Sequence, residues 1–156
     1  MNITRITIIA ATAGNLNTIR ALLAHAGLGD NDVLAPGTRY WLAEDSGAAC
    51  GVIGLEYGAS AVLLRSAGVL PGARGRGVGH ALVDAALAAA EQHGHTRAYL
   101  FSTGAGPYWT RLGFHEVPVN QLVAALPDAP QVRQYRRLGW LPSEVAWRRD
   151  LGREVV

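Results

Sequence analysis

At 156 residues, 49% apolar and 17% charged, the chain has the size and composition of one globular domain, which excludes intrinsic disorder. A formal charge of +2 does not by itself call for nucleic acid. All 14 Lys+Arg positions are arginine, so a Schiff-base lysine and a Walker lysine are both excluded. The single Cys50 rules out an internal disulfide and sits in the apolar run "AACGVIGL" as a small core residue, and no apolar run approaches the ~18 residues of a membrane span.

The opening "MNITRITIIAATAG" mimics a short signal peptide. Alternation of Thr4, Ile6 and Ile8 against Ile3, Arg5 and Thr7 instead predicts a first strand over residues 4 to 10, and with it a cytoplasmic protein. "TAGNLNTIRALLAHAG" puts Leu16, Ile19, Leu22 and Leu23 on one helical face, with Gly27 just beyond it. A loop, "LGDNDVLAPG", ends at Pro36. "TRYWLAED" and "ACGVIGLEYG" read as two strands around a hairpin turn at "SGA". "SAVLLRSAGV" is a further strand, ended by Pro71 and Gly72.

From Gly77 to His93 the spacing is helical, with Val78, Leu82, Ala86 and Ala89 on one face and Asp84, Glu91 and Gln92 toward water. Gly94 is a natural stop. "TRAYLFST" is a strand, and "GPYWTRLGF" a short helix running into another. The order predicts a single α/β domain over residues 1–156, with a mixed, mostly antiparallel sheet flanked by helices.

"ARGRGVGH", residues 73 to 80, stands where a strand hands over to a helix. The first N–H groups of a helix lack partners, and the helix dipole favours an anion beside them. Gly75, Gly77 and Gly79 let the backbone approach a phosphate closely, and Arg74 and Arg76 add charge, either to that phosphate or to the protein surface. The same pattern also suits a glycine-rich connector with solvated arginines. It is not the dinucleotide fingerprint, because the spacing is G-x-G-x-G and several antiparallel strands precede it.

"LLRSAGVLPGARGRGVGHALVDAALAAAEQHG" resembles motif A of the GCN5-related N-acetyltransferase superfamily, whose [QR]-x-x-G-x-[GA] signature is matched by Arg74, Gly77 and Gly79. "PYWTRLGF" resembles that superfamily's later "FYxKxGF" segment, and the two motifs cover most of residues 49 to 117. The resemblance implies acetyl-CoA as acetyl donor, its pyrophosphate held by backbone amides from Arg74 through Gly75, Arg76, Gly77 and Val78 to Gly79. It also implies splayed central strands, with main-chain groups near Ala67 and Val69 pairing with the pantetheine arm. "GVIGLEYG" and "YRRLGWLPSEVAWRRDL" are similar to the arsenic-resistance branch of the superfamily, which points to a metabolite or a toxic amino-acid analogue as acceptor. Many relatives are dimers, so a homodimer is the expectation the resemblance brings.

Acetyl transfer needs a neutral amine, a polarised thioester carbonyl and a proton for the departing thiolate. Glu56, at a strand end between Gly54 and Gly58, is the candidate base; an exposed strand-end glutamate is the alternative. The family geometry places a main-chain N–H near Val69 opposite the developing oxyanion. At the position where the superfamily often carries a tyrosine acid stands Trp109, which cannot donate a proton in the ordinary way. Tyr108 substitutes, a water does so, or the thiolate leaves unprotonated, its pKa of about 8.5 making that tolerable. Trp109 then packs against the cofactor arm or anchors the short helix. Arg65 and Ser66, just before the splay, and Thr103 are candidates to hold substrate, Arg65 being otherwise a solvated strand residue.

The five histidines show no metal-ligand spacing and read as surface residues, so no metal is expected. "QVRQYRRLGW" mixes arginines with aromatics, but the near-balanced charge favours a solvated face or subunit contact over nucleic acid. The leading function is therefore N-acetylation of a small-molecule amine. The alternatives are a toxin-type aminoacyl-tRNA acetyltransferase, using the arginines near 133 to 137 and 148 to 149, and a non-catalytic acyl-CoA-binding domain.

Overall fold

The structure, a computed structural model, describes residues 5–152. Seven strands and five α-helices follow one another as β1 (Ile6–Ala10), α1 (Leu16–His25), β2 (Thr38–Asp45), β3 (Ala48–Tyr57), β4 (Ala61–Val69), α2 (Val78–Gln92), β5 (Arg97–Phe101), α3 (Gly106–Arg111), β6 (His115–Val117), α4 (Val119–Ala125), α5 (Pro130–Leu138) and β7 (Ala146–Asp150). The strands form one mixed sheet in the order β1-β2-β3-β4-β5-β7-β6. Two compact units share the chain, one taking it up to Leu55 together with Ser66–Ala86, the other taking Glu56–Arg65 and everything from Leu87.

In the first unit β1 runs antiparallel to β2, from Ile6↔Asp45 to Ala10↔Trp41. Thr4, where the sequence starts this strand, lies outside the described residues. Ile19, Leu22 and Leu23 of α1 pack with Tyr40, Leu42 and Val52, as the helical spacing requires. The hairpin between β2 and β3 turns on Ser46 and Gly47, both at positive φ (53° and 90°), the backbone that matches the twist of the flanking strands. Cys50 is buried there, and burial pushes its thiol up, as suits a core residue rather than a nucleophile.

In the second unit β4 and β5 are parallel, in register from Ala61↔Arg97 to Leu63↔Tyr99. That register stops at Leu63, while β4 itself continues to Val69. Leu63, Tyr99, Leu122, Leu126 and Val132 form the core of this unit.

Helices α4 and α5 and strand β7 are absent from the sequence reading, which assigns nothing after the strand following α3. β7 carries a charged run, yet it pairs with β5 (Phe101↔Ala146) and with β6 (Val117↔Ala146). Its arginines are satisfied locally: Arg148 reaches Asp150 at 2.8 Å and Gln121 at 3.0 Å, and Arg149 donates to the Leu112 carbonyl at 3.1 Å. The arginine heads find partners within the fold, so polarity conceals the strand.

Candidate active site

The turn after β4 is built as a cradle. A short 3₁₀ turn at Pro71–Ala73 leads to Gly75 and Gly77, both at positive φ (77° and 78°), with open space where a Cβ would stand. Gly77 accepts the Ala81 N–H at 3.0 Å, so α2 starts there and its first amides have no helical acceptor. Bare glycine surface, amides without a helical acceptor and the positive end of a 15-residue helix fit a phosphate-bearing group.

The two cradle arginines behave differently. Arg76 bridges to Asp45 at the end of β2, Nη2 to Oδ2 at 2.6 Å, and this pairing holds the Asp45 carboxyl below its ordinary value. Arg76 thus has a partner at the protein surface. Arg74 donates through Nε to the Val69 carbonyl at 3.1 Å and stays exposed.

β4 is deformed just before the cradle. Ser66 sits at φ 59°, a left-handed conformation unusual for a serine inside a strand, which marks a bulge. The Tyr40 hydroxyl lies 3.5 Å from Ser66 Oγ, and the fully buried Tyr40 ring rests on Gly54, where an added Cβ would come within 2.6 Å of it. Ala67 is exposed. The Leu70 N–H bonds to the Cys50 carbonyl on β3 at 2.8 Å, so by alternation the Val69 N–H and C=O point away from β3. Beside this strand end lies a shallow depression lined by Leu22, His25, Ala26, Gly68–Pro71 and Arg74.

The second unit holds the other candidates. Glu56 is 0% exposed, so the reading of an exposed strand-end glutamate fails. Its Oε2 receives Arg65 Nη1 at 2.6 Å, and its Oε1 accepts the Gln131 N–H in the first turn of α5 at 3.0 Å. The reading of Arg65 as a solvated residue fails for the same reason: Glu56 neutralises it inside the protein. Two residues on neighbouring strands, nine apart in sequence, thus form a buried ion pair that no spacing rule announces.

Trp109 is buried and edge-on to Phe114 at 5.5 Å, the anchor of α3; Tyr108 is half-buried and edge-on to Trp109 at 4.9 Å. Thr103 is exposed just after β5.

His80 and His93 lie at the surface as expected, but His95 is half-buried, with Nε2 3.0 Å from the Gly58 carbonyl and its ring 5.1 Å from Tyr57. Among the described residues there is no group of three or more His, Cys, Asp or Glu that could hold a metal, and no helix long and apolar enough to cross a membrane. Arg133, Arg136 and Arg137 are exposed on α5.

A family profile described as "Acetyltransferase (GNAT) domain" matches residues 36–116. Comparison with curated proteins finds no match. Among solved structures, the fold is similar to N-acetylglutamate synthase from Neisseria gonorrhoeae, complexed with coenzyme A and N-acetyl-glutamate (TM-score 0.78, 21% identity, 97% of this chain and 36% of that one). The chain therefore spans about a third of that synthase. It is also similar to a GNAT-family acetyltransferase from Staphylococcus aureus Mu50 (TM-score 0.73, 17% identity, 95% and 100% covered) and to a Mycobacterium tuberculosis protein in complex with CoA (TM-score 0.73, 18% identity, 94% and 99% covered).

Proposed function

The chain belongs to the GNAT acetyltransferase family, and from that premise we propose that it is an acetyl-CoA-dependent N-acetyltransferase whose acceptor is the amine of a small molecule. The observation that carries the acceptor class lies in the arginines of β7. Arg148 and Arg149 are tied to internal partners, which removes part of the basic surface that a tRNA acceptor would use.

In this reading Gly75, Gly77, Val78 and Gly79 receive the pyrophosphate on their amides, and Arg74 adds its charge at the rim. Arg76 holds the turn against β2 through Asp45. The edge of β4 at Ala67 and Val69 lies along the pantetheine arm, and the Val69 N–H, turned away from β3, meets the oxyanion as it develops. Acetyl-CoA supplies the acetyl thioester. Trp109 supports α3 from the core and Tyr108 is the side chain offered to protonate the thiolate. Glu56 serves by fixing Arg65 and the first turn of α5, because both its oxygens are already engaged.

The test is thiol release from acetyl-CoA across small amines, amino acids and arsenicals, read with a free-thiol reagent. Turnover with a small amine is expected. Silence across the panel, together with acetylation of aminoacyl-tRNA, would replace the small-molecule reading by the tRNA one.

A further inference from the structure

Three aromatic rings meet at the C-terminal half of α5. Tyr135 lies 5.2 Å from Phe101 at the end of β5 and 5.3 Å from Trp140. The helix cap explains part of this. Gly139 is left-handed (φ 73°), its N–H bonds to the Arg136 carbonyl, and the Trp140 N–H returns to the Tyr135 carbonyl at 2.9 Å, which folds Trp140 back over Tyr135. A cap alone does not call for an indole that remains 48% exposed, nor for Phe101 beside the phenol.

The polar groups around these rings include two acceptors, Gln131 Oε1 and the Glu144 carboxylate. Gln131 Nε2 donates to the Tyr135 hydroxyl at 3.3 Å, while Gln131 Oε1 is buried with no hydrogen-bond partner among the described residues. A buried acceptor left open in this way calls for an N–H or O–H from outside the protein. Glu144, four residues past Trp140, is half-buried and forms no salt bridge among the described residues. Burial pushes its carboxyl up, and its charge also reaches the Tyr135 hydroxyl. Arg65, whose charge also acts on the Tyr135 hydroxyl, is already answered by Glu56. At about 100° per residue, Arg133, Arg136 and Arg137 project from other sides of α5 than Gln131 and Tyr135, which are one turn apart on one face.

We infer that Phe101, Gln131, Tyr135, Trp140 and Glu144 form a binding site for the ammonium group of a small basic amine. The inference rests on the small-amine reading above. π-faces and a carboxylate attract an ammonium, whose N–H groups also fill the open Gln131 acceptor. A zwitterionic amino acid would bring a carboxylate toward Glu144, with no unpaired cation in this set to receive it.

The test is calorimetric titration of the full chain with 1,4-diaminobutane, with glycine as the zwitterionic comparison. Saturable binding of the diamine and none of glycine is expected. Glu144→Gln and Trp140→Ala should each weaken diamine binding at least tenfold while acetyl-CoA binding is retained. No saturable diamine binding, or wild-type affinity in both variants, overturns the subsite. The two readings fail separately. Diamine binding that needs Glu144, with thiol release silent for every amine, upholds the subsite and sinks the small-amine reading. Amine turnover with a KM indifferent to both substitutions upholds that reading and sinks the subsite.

Discussion

Arg65→Met tests the buried ion pair most directly. It removes the cation 2.6 Å from Glu56 and leaves a carboxylate that is 0% exposed with the Gln131 N–H in place but without its guanidinium. Removing one partner of a buried pair costs about 3–5 kcal/mol, because the remaining charge is desolvated without compensation. Glu56→Leu takes the carboxylate from Arg65 in the same way, and it also strands the Gln131 N–H, adding about 1–3 kcal/mol. In the double variant Glu56→Leu/Arg65→Met no buried charge remains, and the cost falls to about 1–3 kcal/mol for that one N–H. The double variant is thus expected to be more stable than either single one. Urea denaturation reads this out: with a slope of about 1–3 kcal/mol/M, the Arg65→Met midpoint drops by roughly 2 M. Additive single effects, or an Arg65→Met cost under about 1 kcal/mol, would show that the two charges do not depend on each other.

Gly77→Asp should weaken acetyl-CoA at least tenfold by calorimetry, because it sets a carboxylate in the cradle, whereas unchanged affinity would remove the cradle assignment; Gly77→Ala meets no neighbour and carries only the left-handed strain of about 1–2 kcal/mol. At the bulge, Ser66→Gly is expected to stay within about 1 kcal/mol of the parent while Ser66→Val falls by about 2–3 kcal/mol; equal stability of the two would mean that φ 59° is not the native backbone. The folded Asp45 carboxyl lies below its ordinary 3.8, so its stabilisation is present above that value and lost as pH falls through the folded one; Asp45→Asn should flatten the acid side of the Tm–pH curve, and an unchanged curve would argue against the Arg76 bridge. Glu144 has the opposite sign: its carboxyl lies above 4.5, so ionisation opposes folding, and the parent should lose stability relative to Glu144→Gln as pH rises through the raised value.

Much of the first unit was legible in the sequence because its signals are local. Alternation gives β1, runs bounded by turn residues give β2 to β4, the positive-φ turn at Ser46 and Gly47 sits where "SGA" predicts a hairpin, and the glycine spacing of residues 75 to 79 marks the helix start. The Arg76 bridge to Asp45 spans 31 residues, and periodicity has no access to such a contact. The same limit hid the Glu56–Arg65 pair: each residue read separately passes for a surface charge, and only strand pairing brings them together. After Val117 the reading lost its grip, because the short helices α4 and α5 offer few turns of periodic pattern and β7 is written in arginine. The segment "QVRQYRRLGW" drew attention for its arginines, yet the residues that converge in space are Gln131, Tyr135 and Trp140.

The seat of β7 between β5 and β6 bears on how the chain is made. β6 is joined to the sheet through β7, so on the ribosome His115–Val117 waits for Ala146–Asp150 before it has a neighbour. At roughly 5–20 residues per second the interval lasts a few seconds. During that time the edge of β5 is open to strands of other nascent chains, and α4 and α5 emerge before the strand that completes their sheet. A stop codon placed after Ser143 would prolong this state indefinitely, and an aggregated product rather than a merely inactive one is the outcome to look for.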